Sequence, residues 1–470
     1  MLVAAVLLGA CGTTVELSVP ESDFEAVSAQ AAHEQSIGDD ASGPTPSPEP
    51  TPTPADLPYE EAIDVYFVDV ERFWADAMPP TFGLDFEPVD RRVPYEPERP
   101  VSVPACGGEV GPQELYADNA YYCAPDDYIA WDDNGLFPDL YRTYGDFSVG
   151  LVIAHEYGHA VQFRAAVDGP TIFVELQADC FAGAWAGDVA ASGSVPFQRS
   201  DLDAAIGGFL TFADPLGTPA GDPGAHGTAF DRLNAFAEGF DGGVDVCVDY
   251  LSTPPQTATI LVDPADTSGG NLPLDELIPL LVEDLSLSLD TLSDIGPQAA
   301  YVVPGPPVDF GGSAGAPGPC GGVAPSVEEI EAAAYYCAET NQVFIDRGEL
   351  DAVWREVGDF APAYAVAHSY AMSLAVEYTD TDSGAAVLAA DCLVGVWARD
   401  VFDEAAAAPV EPFHVLYLSA GDLDEGIVGF LLLEVLGPDL SQVDDVGTFD
   451  RVAEFGRGFF RGVSQCPVTG

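Results

Sequence analysis

Three residues in the first half of the chain have the types and spacing of a metal site: His155, Glu156 and His159, in the order His-Glu-Tyr-Gly-His. On a helix, residues four apart lie on one face, so both imidazoles can reach a single metal ion. Glu156 lies between them, where a carboxylate can hold a water molecule that the metal activates. The pattern therefore predicts a metal centre with a general base beside it.

The residues after this pattern predict a pair of antiparallel helices. The apolar run ends in Asp-Gly-Pro at residues 168–170, which favours a turn, and a second apolar helix is expected directly after it. Counted from the turn, Glu175 lies at the height of His159 and is expected as a third metal ligand. Asp179 lies one helical turn later, at the height of His155, and is expected to accept its other ring N–H. The alternatives are a helix N-terminal acid for Glu175 and a cap or ion-pair partner for Asp179.

These residues resemble the bacterial family of putative neutral zinc metallopeptidases. The resemblance covers roughly residues 105–250. It rests on four segments, Tyr122-Cys123, Ala154–Gln162, Glu175–Cys180 and His226–Arg232. It implies a zincin-like domain of the α+β class, mainly helical, with zinc as its cofactor. The resemblance and the spacing together predict hydrolysis of peptide bonds, with zinc on His155, His159 and Glu175 and with Glu156 as the general base.

Three other features near this pattern carry expectations. His226 precedes a predicted helix in a glycine-rich stretch. It either donates a hydrogen bond to the oxyanion of the tetrahedral intermediate or is a loop histidine held by local hydrogen bonds. Arg232 is expected to anchor an acidic partner within the fold. Residues Tyr128–Asp132 read as a short strand, which we expect to line the cleft and to pair with an extended peptide.

The N-terminus predicts export. Residues 1–10 are apolar but too few to span a bilayer, and Leu-Gly-Ala before Cys11 resembles the processing site of bacterial lipoproteins. Residues 1–11 are therefore expected to be a lipoprotein signal with Cys11 as the lipid attachment site; the alternative is a clipped secretory signal with an ordinary cysteine. Residues 12–58 form a linker, disordered and rich in proline and threonine, that acts as a spacer. We expect a bacterial protein at the cell surface or envelope, bound to the membrane only through its N-terminal lipid.

The other eight cysteines suit an exported, disulfide-bonded protein. Their spacing is duplicated, and duplicated spacing predicts duplicated connectivity. The expected pairs are Cys106–Cys123, Cys180–Cys247, Cys320–Cys337 and Cys392–Cys466.

The spacing also predicts that the zincin-like domain is duplicated in tandem. Several segments recur after 212 to 219 residues: Cys-Gly-Gly at 106 and 320, Ala-Tyr-Tyr-Cys at 120 and 334, Ala-Asp-Cys at 178 and 390, and Phe-Asp-Arg at 230 and 449. We therefore expect two domains, 59–250 and 273–470, joined by a linker at 251–272. The two are expected to pack as an intramolecular pseudo-dimer.

The second copy has lost most of the metal-binding pattern. Ser369, Met372 and Val387 replace the base and two of the ligands, while His368 and Asp391 remain. One histidine with one orienting acid does not hold zinc usefully, so His368 is expected to be a core histidine. The second domain is therefore expected to be a non-catalytic pseudo-peptidase, and the chain to bind one zinc ion.

The charge excludes one class of partner. The net charge is -64, and all 14 basic residues are arginine. Nucleic acid is not expected to bind, because its phosphates would be repelled. A peptide or protein substrate is expected instead. Two alternatives to the enzyme are a non-catalytic surface scaffold and a lipoprotein that binds metal or a partner; neither requires the base Glu156.

Overall fold

The computed structural model describes most of the two predicted domains. The described residues are 57–99, 102–222, 224–250, 252–258, 260, 270–293, 301–309, 333–379, 383–407, 414–432 and 446–467. The predicted signal with Cys11, nearly all of the linker 12–58, most of 251–272 and Cys320 lie outside them. In the described ranges, no helix combines the length and apolar character needed to cross a membrane.

The chain up to residue 250 is mainly helical and contains one small sheet. Its elements are α1 (Tyr59–Phe82), β1 (Arg91–Tyr95), β2 (Ala120–Cys123), β3 (Tyr128–Asp132), α2 (Leu136–Tyr144), α3 (Asp146–Arg164), α4 (Thr171–Ser192), α5 (Arg199–Thr211), α6 (Ala229–Gly242) and α7 (Val244–Asp249). The α+β class with mainly helical content is thus confirmed for this part.

The rest of the described chain has similar content. Its elements are α8 (Leu274–Ser293), β4 (Val308–Asp309), β5 (Ala334–Cys337), β6 (Gln342–Ile345), α9 (Arg347–Glu356), α10 (Phe360–Tyr378), α11 (Ser383–Ala407), α12 (Asp422–Leu432) and α13 (Thr448–Arg461). One-turn 3₁₀ helices add Gln113–Leu115 and Val463–Gln465.

The strand at Tyr128–Asp132 lies in the middle of its sheet. In the order β1-β3-β2, it pairs with β1 in parallel and with β2 in antiparallel fashion. The prediction that this strand pairs with an extended peptide is therefore wrong, because both of its edges already make ladder hydrogen bonds. The strand β2, at the sheet edge, contacts helix α3, which carries His155 and His159. The second sheet has the corresponding order β4-β6-β5.

Helices α3 and α4 form the predicted antiparallel hairpin and lie in the interior. Nearly every residue of α3 is buried, which explains its apolar composition on all sides. The two helices approach closely because Gly158 faces Ala178: a Cβ added to the glycine would lie 3.1 Å from the Cα of Ala178. On the other side of α4, a Cβ added to Gly183 would lie 2.0 Å from the carbonyl oxygen of Phe236 on α6. Side chains at these glycines would push the helices apart.

Three of the four predicted disulfides are confirmed. They join Cys106 to Cys123, Cys180 to Cys247 and Cys392 to Cys466. Cys337 is also disulfide-bonded. Its predicted partner, Cys320, lies outside the described residues.

The two predicted domains contact each other through helices α6 and α13. The ring of Phe230 packs on Phe455 and Phe460, at centroid distances of 5.3 Å in each case. At the exposed rim, Arg461 contacts Glu238 at 2.5 Å. The contact therefore has an aromatic centre and a charged edge.

Candidate metal centre

The helix hairpin brings three potential metal ligands together. The Nε2 atoms of His155 and His159 lie 3.1 Å apart. Glu175 Oε2 lies 3.3 Å from the first of them and 3.4 Å from the second. Donor atoms about 2.0–2.1 Å from a tetrahedral zinc ion lie roughly 3.3 Å from one another. The three distances therefore match the face of a zinc tetrahedron.

The other ring nitrogens of the two histidines are already bonded. Nδ1–H of His155 donates to Asp179 Oδ1 at 2.8 Å, as the helix count predicted. Nδ1–H of His159 donates to Gln162 Oε1 at 2.9 Å. These bonds place the protons on Nδ1 and leave both Nε2 lone pairs facing the shared position.

The role of Gln162 was missed by the sequence analysis, although the residue was part of the matching segment. Its Nε2 donates to the carbonyl of Val174 at 2.6 Å and to Gln177 Oε1 at 3.1 Å. Its amide orientation is therefore set by α4, and its oxygen faces His159. An amide one turn after the second histidine of the pattern was the available signal.

Arg232 holds the acid that orients His155. Its guanidinium donates to both carboxylate oxygens of Asp179, at 2.8 and 2.9 Å, and to the carbonyl of Phe212 at 2.8 Å. Arg232 therefore anchors an acidic residue within the fold, as predicted. Asp179 combines the two readings that the sequence left open, since it accepts from His155 and pairs with a cation.

Glu156 is buried beside the three ligands, with only 1% of its surface exposed. Within the described residues, neither of its carboxylate oxygens makes a hydrogen bond of normal geometry. Burial raises the pKa of Glu156 above its usual value, whereas any positive charge on His159 or His155 and a contact with the backbone of Tyr122 oppose this effect. A buried carboxylate with a raised pKa is suited to accept a proton from a nearby water.

The donor set and its charge fit a divalent cation. Glu175 Oε2 is buried and makes no hydrogen bond of normal geometry in the described chain. The site contains three buried carboxylates, those of Glu156, Glu175 and Asp179, and one guanidinium, that of Arg232. With ionised carboxylates and neutral imidazoles, two negative charges are left without a balancing cation. Such a charge is costly in a protein interior unless a cation balances it. Two nitrogens and one carboxylate oxygen are ligands that zinc accepts.

His226 lies close enough to this centre to act on it electrostatically. The pKa of Glu175 is lowered despite its burial, mainly by His159 and His155 and also by His226. Asp214 holds His226, since the backbone N–H donates to Oδ2 at 2.8 Å and the ring Nδ1 lies 3.3 Å from Oδ1. The ring is thus held by a local acid, as one reading expected. The other reading, an oxyanion donor, stays a prediction.

The comparison with known families addresses the part of the chain that carries this centre. Residues 104–250 match the family described as putative neutral zinc metallopeptidase. The predicted resemblance is thereby confirmed over the matched residues, which include all three ligands and Glu156.

Curated proteins from two bacteria are similar to part of this chain. The uncharacterized protein YpfJ of Escherichia coli is 32% identical over 148 residues, which cover 26% of this chain and 50% of the relative. The uncharacterized protein Rv2575 of Mycobacterium tuberculosis is 32% identical over 179 residues, which cover 31% of this chain and 58% of the relative. The chain thus spans about half the length of the curated relatives it matches. No solved structure matches it.

The second half lies beyond the family match, and its aligned positions form an apolar core. Met372 and Val387 are buried, and the hydroxyl of Ser369 donates to a backbone carbonyl within its own helix. His368 is fully buried, and neither ring nitrogen makes a hydrogen bond of normal geometry in the described chain. Burial lowers its pKa to about 4, so the ring is neutral. Asp391 pairs with Arg451, at 3.0 Å, as Asp179 pairs with Arg232.

Proposed function

We propose that the chain is a zinc-dependent peptidase that hydrolyses peptide bonds with a water molecule. The observation that carries this proposal is the convergence of His155, His159 and Glu175 on one position beside the buried carboxylate of Glu156. A purely structural zinc site needs no base and is closed by a fourth protein ligand. Among the described residues, only three side chains form this metal-binding group.

Each residue of the centre has a defined part in this reaction. Zinc bound here would activate a water molecule and polarise the scissile carbonyl. Glu156 takes the proton of the attacking water and passes it to the leaving amine. Asp179 and Gln162 keep Nδ1 of the two histidines protonated, so that Nε2 of each ring is the ligand. His226, held by Asp214, donates a hydrogen bond to the oxyanion.

The test compares Glu156→Gln with the wild type. The variant should bind zinc as the wild type does, because no ligand is changed, but should lose nearly all hydrolysis of an unfolded protein substrate. Glu60→Gln removes one carboxylate at an exposed position of α1 and should keep full activity. A chelator should abolish wild-type activity, and zinc should restore it. Full activity in Glu156→Gln would refute the assignment.

We also propose that the chain is a tandem duplication of this domain, with residues 59–250 and 273–470 as the two copies and 251–272 as the linker. One support is the backbone contact that each helix pair makes through glycine. A Cβ on Gly239 would lie 1.9 Å from the carbonyl oxygen of Cys180, and a Cβ on Gly458 would lie 1.9 Å from that of Cys392. Both cysteines form a long-range disulfide.

The sheets give independent support for the duplication. Both have one parallel and one antiparallel pair, and the antiparallel pairs have registers that correspond at an offset of 214: Ala120 with Trp131, and Ala334 with Ile345. The turns between the strands carry Asp127 and Asn341, again 214 apart, with φ of 47° and 50°. Such local agreement is expected of two copies of one fold that pack as a pseudo-dimer.

The second copy is proposed to be inactive, so that one zinc ion binds per chain. Metal analysis of the wild type should give about one zinc per molecule. His159→Ala should give none, because a ligand is lost, whereas His368→Ala should still give one. A wild-type count of two, reduced to one in His368→Ala, would contradict this reading.

We propose further that the protein is exported and tethered through Cys11, with a peptide or protein as its substrate and no nucleic acid as a partner. The disulfides support export, since such bonds persist in oxidising compartments. The charge of -64 opposes binding to phosphates. Cys11→Ser should release the protein from the membrane fraction of a bacterial host, and continued membrane association would contradict the tether.

A further inference from the structure

A pocket with apolar walls opens directly beside the candidate catalytic residues. His155 and Glu156 form part of its lining, and the space between its walls, counted together with the part that is open to solvent, is about 590 Å³. Most of its wall consists of apolar side chains from α2, α3 and α5 and the residue after α5: Leu136, Leu140, Leu151, Val152, Phe209 and Phe212. Val152 and Phe212 are partly exposed, whereas the other four are buried.

Apart from the candidate catalytic residues His155 and Glu156, the polar side chains in this wall already have partners. The hydroxyl of Ser148 donates to the carbonyl of Gly145 at 2.6 Å. Asp179 and Arg232 are paired with each other, so their charges offset. A charged or strongly polar side chain entering the pocket would therefore lose its water without gaining a partner. Despite the acidity of the whole chain, this pocket favours apolar groups.

Small residues on α4 and α5 create the space. Ala182, Ala205 and Gly208 all line the pocket. A Cβ added to Gly208 would meet no atom within 4 Å, although the residue itself is buried. Its neighbour Gly207 differs, because a Cβ there would lie 2.3 Å from the ring of Tyr144. The missing side chain of Gly208 therefore leaves room in the pocket rather than room for helix packing.

We propose that this pocket binds a large apolar side chain, such as leucine, phenylalanine or methionine, of the substrate residue beside the scissile bond, and that Gly208 sets the size limit. The proposal rests on the peptidase function proposed above. The position beside the bond follows because His155 and Glu156, which flank the reacting atoms, belong to the pocket wall. Filling an apolar pocket of this kind favours the matching substrate by about 10- to 100-fold in kcat/KM.

The test uses internally quenched peptides that differ at one residue, compared in the wild type, Gly208→Leu and Gly169→Leu. Gly169 is a matched control, because it is exposed, lies outside the pocket and would also place a Cβ in open space. The wild type and Gly169→Leu should favour leucine or phenylalanine beside the cleaved bond over aspartate or arginine. In Gly208→Leu, the ratio of kcat/KM values that expresses this preference should fall at least 10-fold. The variant should still cleave alanine peptides, and its zinc content should be unchanged. Gly208→Ala, a smaller change, should exclude phenylalanine more than leucine.

A binding measurement separates failure of the pocket from failure of the peptidase. In the Glu156→Gln background, NMR titration with N-acetyl-leucine amide should shift resonances of the pocket residues, whereas N-acetyl-aspartate amide should not. Gly208→Leu should abolish the leucine shifts. If no peptide is cleaved but this selective binding is present, the pocket assignment stands and the peptidase proposal fails. Cleavage with a preference for charged residues, or one that Gly208→Leu leaves unchanged, would overturn the pocket assignment.

Discussion

The guanidinium of Arg232 donates hydrogen bonds to both carboxylate oxygens of Asp179, at 2.8 and 2.9 Å, and one of these oxygens also accepts the Nδ1–H of His155. Arg232 lies on α6 and Asp179 on α4, so the orientation of a candidate metal ligand on α3, His155, depends on a third helix. The pKa of Asp179 is lowered, because Arg232 and His155 outweigh the effect of burial. Asp179 is therefore a permanent acceptor that fixes the proton of His155 on Nδ1.

Replacing this arginine should weaken metal binding and stability together. Arg232→Met leaves the carboxylate of Asp179 buried without its cation, at a cost of about 3–5 kcal/mol of unfolding free energy. Zinc affinity should fall about 10- to 100-fold, because His155 loses its fixed tautomer and orientation. Competition with a zinc chelator and chemical denaturation measure the two effects.

Arg451 provides a matched control for this variant, since it pairs with Asp391 in the second half. Arg451→Met should cost similar stability but leave zinc affinity unchanged. An equal loss of zinc affinity in both variants would show that general destabilisation, and not the orientation of His155, is responsible.

Gly158 is expected to be essential for ligand spacing. In Gly158→Ala, the new methyl group would lie 3.1 Å from the Cα of Ala178, so α3 and α4 must separate by a few tenths of an ångström. Zinc affinity should drop at least 10-fold, although alanine favours a helix by about 1 kcal/mol over glycine. The aligned position in the second half is Ala371, and Ala371→Gly should not change zinc affinity. Unchanged affinity in Gly158→Ala would mean that the hairpin tolerates the wider spacing.

The disulfide between Cys180 and Cys247 should support the site as well as the fold. It closes 67 residues, and its removal by a double change to alanine should cost about 4 kcal/mol. The carbonyl of Cys247 also accepts from Gln177 at 2.9 Å, and Gln177 contacts Gln162, so peptidase activity should fall too. The pair Cys392–Cys466 closes 74 residues in the second half, and its removal should cost similar stability but spare activity. Equal activity in the two double variants would argue against the link through Gln177.

Asp231 should make the fold less stable as the pH rises. Burial raises its pKa to about 7, nearby Asp424 adds to the shift, and Oδ2 is buried without a hydrogen bond in the described chain. The pKa of Asp231 in the folded state exceeds the unfolded value of 3.8. The stability that protonation of Asp231 contributes is therefore fully present below about pH 4 and is lost as the pH rises through 7. Relative to the wild type, the free energy of unfolding of Asp231→Asn should therefore rise by roughly 1.4 kcal/mol for each pH unit between about pH 4 and pH 7. Denaturation at several pH values checks this, with exposed Asp245→Asn as control; parallel pH profiles for wild type and Asp231→Asn would refute it.

Local periodicity and spacing were enough to predict much of the site. The helix hairpin around residues 168–170 places Glu175 and Asp179 beside the two histidines because a helix rises by a constant amount per residue. The cysteine pairs were predicted from the repeated spacing of the cysteines along the chain. These features depend on short-range geometry, which a sequence specifies directly.

Contacts between distant segments were decided only by the tertiary structure. Whether Tyr128–Asp132 is a central or an edge strand depends on β1, more than 30 residues earlier in the chain, which occupies its other side. The partner of Arg232 depends on how α6 packs against α4, and the free space at Gly208 depends on five helices meeting around one pocket. The sequence by itself determined which side chains can bind metal and share a helix face. Only the packing between elements decided which polar groups are paired, whether both edges of the strand Tyr128–Asp132 are covered, and where space is left beside Glu156. Each of these features depends on several segments of the chain at once.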